Sequence, residues 1–168
     1  ATALRRRMWS PPTRERPVSI WTVVVAAGAG ERFGGDKQAT DLAGRAVVAR
    51  SVAAASSVSD GVVVVVSAER REAVADLVSG VDGVEAIVDG GATRSASVRC
   101  GLAVVPAAAE VVLVHDGARP LATPELFRRV VEAVLAGADA VVPGVPVADS
   151  LRTTDGRVMG RDGVNAVQ

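Results

Sequence analysis

The sequence predicts an α/β protein: a doubly wound, three-layer sandwich built on a mainly parallel sheet. Three observations predict it. Short runs of Val, Ile and Ala recur without the apolar–polar alternation of a half-solvated strand, so they read as strands buried on both faces. Segments of helical length lie between them, as crossovers between parallel strands require. Several runs end in turns rich in Gly and Asp, at the carboxyl ends of strands where open α/β sheets carry their chemistry.

Each element has its own signal. Ile20–Ala26 is an apolar, β-branched run closed by Gly28 and Gly30. Val62–Val66 is five consecutive valines, and Val84–Val88, Val111–Val114 and Ala140–Val145 are further short apolar runs. Among the helical segments, Val47–Ser57 is rich in Ala, and Glu69–Val78 follows Ser67 as its N-cap. Arg94–Val105 and Pro124–Ala136 complete the set, the last opened by Thr123 and a first-turn Pro. The order β-α-β-α-β-α-β-α-β results. Asp149–Thr153 and Arg157–Met159 flank Thr154-Asp155-Gly156 and predict a small hairpin projecting from the sheet.

A length of 168 residues sets one domain, expected over 18–168. Apolar residues make up 49% of the chain and mean hydropathy is +0.30, enough for a buried core. Nineteen basic and nineteen acidic residues balance, so no overall basic surface for nucleic acid is expected. One Cys, Cys100, rules out an intrachain disulfide and a Cys-based zinc site, and one His, His115, rules out a multi-histidine metal site. No run reaches the ~20 apolar residues of a membrane span. Ala1–Pro17, with five Arg and three Pro and no apolar run, reads as a disordered basic arm and not a secretory signal. A cytoplasmic protein is expected. Eighteen Arg against one Lys, with heavy Ala, Val and Gly use, fits a GC-rich coding genome, and it singles out Lys37.

Four stretches carry candidate chemistry. The first strand runs into Ala26-Ala27-Gly28-Ala29-Gly30-Glu31-Arg32-Phe33-Gly34-Gly35-Asp36-Lys37. Glycines after a buried strand let backbone N–H groups approach phosphate oxygens, and Arg32 and Lys37 add cationic donors. The spacing is neither a P-loop, because Gln38 follows Lys37, nor a full dinucleotide fingerprint, because Phe33 stands where a third Gly belongs. A structural turn is the alternative reading. The fourth strand ends in His115-Asp116-Gly117-Ala118-Arg119. Asp116 is either a divalent-metal ligand or a turn Asp bonded to its own backbone. Strand alternation turns His115 away from Asp116 as a packed imidazole, and Arg119 pairs with Asp116 or binds an anion. The third strand leads to Asp89-Gly90-Gly91, then Ser97 in the helix that follows; ligand contacts and simple capping are both open. Ser150 lies at the start of the hairpin's first strand and Arg161 follows the hairpin.

In order, these segments resemble those of the methylerythritol-phosphate cytidylyltransferases of non-mevalonate isoprenoid biosynthesis. The shared patterns are AAGxGxR, a following KQ, DGGxxRxxSV, VHDxARP, PVxDS and RDGxxxVQ, over nearly everything from Thr22 to Gln168. Each is loose alone, and six in sequence are specific. Alditol-phosphate cytidylyltransferases, such as ribitol-phosphate enzymes, share much of the pattern. The resemblance implies a Rossmann-like nucleotidyltransferase fold and transfer of CMP from CTP to 2-C-methyl-D-erythritol 4-phosphate, with release of pyrophosphate. It implies that Ala26, Ala27, Gly28 and Gly30 form the nucleotide loop, and that Arg32 and Lys37 stabilise the triphosphate and the pentavalent charge. It assigns Gly91 and Ser97 to cytosine and ribose, Asp116 to Mg2+, and Ser150 and Arg161 to the acceptor phosphate. It places the last two on or near a β-arm exchanged across a homodimer.

Departures accompany the resemblance. The loop between Arg32 and Lys37 is shorter than the family's, Asp36 stands at a family Pro, and Ala39 replaces an aromatic. A carboxylate beside Lys37 is expected to pair with it. The chain stops at Val167-Gln168, where the family continues into helices and a strand carrying a second metal-binding Asp and another Lys. The expectation is therefore a family member without its C-terminal part. An inactive nucleotide-binding homologue is the alternative to an enzyme.

Overall fold

The computed structural model of the protein describes residues 17–28, 36–160 and 165–167. The arm expected at Ala1–Pro17 lies, but for Pro17, outside the described residues, as do Gly30, Arg32 and Arg161. The chain divides into two compact units, the boundary falling between Pro124 and Glu125.

The first unit holds β1 (Ile20–Ala26), α1 (Val47–Ser56), β2 (Gly61–Val66), α2 (Arg71–Val78), β3 (Val84–Asp89), α3 (Arg94–Leu102) and β4 (Val111–Asp116). Its four strands form one parallel sheet in the order β3-β2-β1-β4. Crossovers carry the chain outward from β1 to β3 through α1 and α2, then back across the sheet through α3 to β4. The direction of winding therefore reverses at β1, which makes the carboxyl ends of β1 and β4 the topological switch point, where open α/β sheets bind ligands.

The core follows from strand alternation. Val23 and Val65 point to one face, where Gly101 brings α3 so close that an added Cβ would lie 2.5 Å from Val23. Val24, Val62, Val64 and Val66 occupy the other face, fully buried, and α1 touches both β1 and β2. No residue of β2 is exposed, as five consecutive valines predict for a strand with a layer on each side.

Helix limits differ modestly from expectation. Ser67 is the N-cap residue not of an α-helix but of a single 3₁₀ turn, Ala68–Arg70, and makes no side-chain cap bond. Thr93 caps α3, its hydroxyl accepting from the Ala96 amide at 3.1 Å. This helix ends at Leu102, short of Val105.

The second unit contains all but the first residue of α4 (Pro124–Leu135), and β5 (Gly144–Pro146), β6 (Leu151–Arg152), β7 (Val158–Met159) and β8 (Asn165–Val167). The run Ala140–Val145 does not add a fifth strand to the parallel sheet. Only Gly144–Pro146 is extended, pairing antiparallel with β8 in a two-stranded sheet of its own. Pro143 and Pro146 donate no amide hydrogen bond, so the run cannot form a central strand's ladder. The hairpin is present. β6 and β7 pair antiparallel across Thr154-Asp155-Gly156, with Gly156 at φ +87°. The Thr153 amide donates to Arg157 O and the Gly156 amide to Thr153 O, both at 2.9 Å, closing a three-residue loop with its Gly in the left-handed position.

Candidate nucleotide site at the carboxyl end of the sheet

The register sets which turns meet. Ala26 lies beside Val66, and Asp116 beside Val25, so the turns after β1, β2 and β4 emerge at one level. β3 joins them, because its last residue, Asp89, also pairs with Val66. Ala26, Ala27, Gly28, Gly91, Ser97, Lys37 and Asp116 thus all belong to the first unit. Ala26 and Asp116 end β1 and β4, Ala27 and Gly28 follow β1, Gly91 follows β3, Ser97 lies on α3, and Lys37 precedes α1.

Close backbone approach governs the β1–β3 side. The Gly90 amide donates to Val66 O at 2.7 Å. A Cβ at Gly90 would stand 2.7 Å from the Ala27 methyl and 2.8 Å from Ser97 Oγ, so only glycine fits between these segments. Ser97 is buried, at 2% exposure. Its hydroxyl accepts from the Gly91 amide and donates to the Gly91 carbonyl, both at 3.2 Å. Ser97 thus fastens the Gly90-Gly91 turn, while Gly91 itself is exposed.

On the β4 side Asp116 is gripped by two guanidiniums. Arg94 Nη2 donates to Oδ1 at 2.7 Å and Arg119 Nε to Oδ2 at 2.9 Å. Burial works to raise the Asp116 pKa, but the hydrogen bonds and positive charges of Arg94 and Arg119 outweigh it and hold the carboxyl below its usual range. Of the two readings of Arg119, pairing with Asp116 is the one found. His115 faces the other way, as alternation predicts, and burial pushes its pKa down. Beneath, Ser51 of α1 donates to Gly117 O at 2.9 Å and fixes the turn after β4.

Two cations escaped the sequence reading. Arg94 was visible as the Arg of DGGxxRxxSV, but its reach to Asp116 depends on α3 crossing back over the sheet. Arg70, after β2, forms an ion pair with Asp36 and directs Nη1 to Gly28 O at 3.4 Å. No motif marks it. The expected pairing of Asp36 with Lys37 is replaced by this bond to Arg70. Asp36 Oδ1 also accepts from the Gln38 and Ala39 amides at 3.1 and 3.2 Å, an Asx-type turn around Lys37.

Ser150 lies in the second unit, exposed and immediately before β6.

Among the described residues no three His, Cys, Asp or Glu side chains cluster to hold a metal. Asp116 offers a hard carboxylate at the carboxyl end of β4, with its side chain 32% exposed. Oδ1 accepts from both Nε and Nη2 of Arg94, whereas Oδ2 keeps a lone pair beyond the one taken by Arg119. One carboxylate with substrate phosphates is a normal donor set for Mg2+, so the residue fits that ion chemically.

A doubly wound parallel sheet with glycine turns and cationic side chains at its switch point defines a Rossmann-like α/β protein of the nucleotidyltransferase class. Solved structures agree. The protein titled 4-diphosphocytidyl-2C-methyl-D-erythritol synthase from Anaerococcus prevotii superposes with a TM-score of 0.77 at 28% identity, covering 90% of this chain and 68% of that one. The bifunctional IspDF of Campylobacter jejuni gives a TM-score of 0.75 at 25% identity, covering 89% of this chain and 39% of that one. Residues 20–167 match the family described as IspD, 2-C-methyl-D-erythritol 4-phosphate cytidylyltransferase, and the chain belongs to that family. The relative of that name from Cereibacter sphaeroides is 47% identical over 145 residues, which is 82% of this chain and 64% of the relative. One from Frankia casuarinae is 43% identical over 158 residues, 89% of this chain and 58% of the relative. The chain thus spans less than two thirds of the length of these relatives.

Proposed function

We propose that the chain binds CTP at the carboxyl end of its parallel sheet and transfers CMP to 2-C-methyl-D-erythritol 4-phosphate, releasing pyrophosphate. The observation that carries this reading is the meeting of the Ala26-Ala27-Gly28 turn, the Gly90-Gly91 turn and Asp116 at one level of the sheet. Family membership and the names of the relatives support the particular substrates.

The roles follow from chemistry. The acceptor phosphate oxygen attacks the α-phosphorus of CTP in line. The new P–O bond forms as the bond to the bridging oxygen breaks, and that oxygen leaves with pyrophosphate. Catalysis of this kind is positioning and charge stabilisation. The exposed backbone of Gly28, next to Ala26 and Ala27, and the exposed Gly91 receive the nucleotide, with Ser97 holding Gly91 in shape for cytosine and ribose. Lys37 and Arg32 neutralise the triphosphate and the charge that grows on the equatorial oxygens. Asp116 would hold Mg2+, which would supply charge neutralisation at the phosphates. Ser150 and Arg161 bind the acceptor phosphate. A homodimer joined through the β6–β7 hairpin and a cytoplasmic location belong to the same reading; Val158 and Met159 of the hairpin are exposed apolar residues, suited to a partner surface.

The test is calorimetric binding of CTP with Mg2+, followed by pyrophosphate release with methylerythritol phosphate or ribitol phosphate as acceptor. Binding and turnover with the first acceptor support the assignment. Turnover with ribitol phosphate alone moves it to the alditol-phosphate enzymes, and binding without turnover to a nucleotide-binding homologue. Lys37→Ala and Arg32→Ala should each weaken CTP binding; unchanged affinity in both folded variants would remove these residues from the site.

A further inference from the structure

We propose that Arg70 is a positioning residue of the nucleotide site, tying the turn that carries Lys37 to the end of β1. The inference rests on the reading of Lys37 as a phosphate-binding group, and it adds a residue that no motif marks.

Arg70 stands directly after β2, on the 3₁₀ turn that leads into α2. Its side chain is only 20% exposed. One arm of the guanidinium faces Gly28 O at 3.4 Å, and the other bonds Asp36 Oδ1. The same oxygen receives the amides of Gln38 and Ala39, the two residues that follow Lys37. Beyond them the backbone is pinned again: the Val48 amide donates to Gln38 O and the Val47 amide to Thr40 O, both at 3.0 Å. Lys37 is therefore carried on a short turn anchored to α1 on one side, and through Asp36 and Arg70 to Gly28 on the other. Gly28, which is exposed, belongs to the turn proposed to receive phosphate.

The chemistry suits Arg and not Lys. A planar guanidinium serves two acceptors at once in a fixed fork, whereas an ammonium on a flexible stem cannot hold the same two groups in one geometry. A partly exposed ion pair adds little to global stability. Its effect here is local. A Lys37 turn already held beside Gly28 loses less freedom when a triphosphate binds, and preorganisation appears as affinity.

Two measurements on the 168-residue chain test this. The first is amide hydrogen exchange without nucleotide. In Arg70→Ala the Gln38 and Ala39 amides should exchange faster, with protection in β1 and α1 unchanged. The second is calorimetric CTP affinity in a double-mutant cycle. Arg70→Ala and Asp36→Asn should each weaken binding about tenfold, and the double variant should be no weaker than the worse single one. Asp36→Asn retains an acceptor for the two amides but loses the charge that Arg70 pairs with. Arg70→Lys should restore the positive charge but only part of the affinity.

Unchanged exchange in Arg70→Ala would overturn the tether. Additive losses in the cycle, or full rescue by Lys, would overturn it too, because Arg70 would then meet the triphosphate as a bare charge. A wild-type chain that binds no CTP would defeat the site reading and Arg70's nucleotide role with it. Tight CTP binding by Lys37→Ala together with faster exchange in Arg70→Ala would defeat only the role of Lys37 as the group being positioned.

Discussion

Asp116 and His115 are adjacent in sequence and opposite in environment, because successive strand residues face opposite sides of a sheet. Asp116 has its pKa held down by Arg94 and Arg119 against the opposing effect of burial. A carboxyl depressed on folding contributes stability above its unfolded pKa, about 3.9, and that contribution is lost as pH falls through the lower folded value. Asp116→Asn should therefore narrow the gap between urea midpoints at pH 7 and pH 3; an unchanged gap would contradict the double grip. His115 is depressed by burial, with the Asp116 charge opposing. For a buried neutral imidazole the unfolded chain binds the proton first, so stability falls as pH drops below about 6.5. An NMR titration of its ring protons should give a midpoint below that value. Both residues were legible in sequence as a strand-end pair facing opposite ways. The grip of Arg94 was not, since it spans 22 residues and depends on where α3 returns to the sheet.

At the scale of elements, α3 shows which local signals suffice. Thr93 caps it as a sequence rule would have it, and Thr93→Ala should destabilise the protein by about 1 kcal/mol in urea unfolding. Its packing rests instead on the absence of a side chain at Gly101. Gly101→Ala would press a methyl against Val23 and Val65 and should cost roughly 1–3 kcal/mol by the same measurement, although alanine is the better helix former. A gain in stability would show that α3 can move off the sheet. The run at Ala140–Val145 fails as a strand of the main sheet for a reason already in its sequence: Pro143 and Pro146 cannot donate as a central strand must, and the segment forms only the short two-stranded pairing with β8. Apolar content alone overstated it. Ser67 illustrates the converse, a good cap residue that meets a 3₁₀ turn and forms no cap bond.

Over the whole molecule, stability concentrates in a strand with no exposed residue. Val64 lies in the middle of β2, fully buried, and Val64→Ala removes two methyl groups that no neighbour can replace without moving a packed layer. The loss should be about 2–3 kcal/mol, seen as a lower urea midpoint. CTP, if it binds only the folded chain, should raise the melting temperature with concentration. The sequence by itself determined the α/β class, three of the four parallel strands nearly to the residue, the hairpin and the family, because continuous valine runs, glycine turns and ordered motifs are local signals. Only the tertiary structure decided the strand order β3-β2-β1-β4, hence which turns flank the switch point. It also decided that Ser97 is fastened to Gly91, that Asp36 turns to Arg70, and that two guanidiniums converge on Asp116. The bonds of Arg70 to Asp36 and of Arg94 to Asp116 join residues from separate segments of the chain. Side-chain partners across a sheet are set by winding and register, which no window of sequence contains.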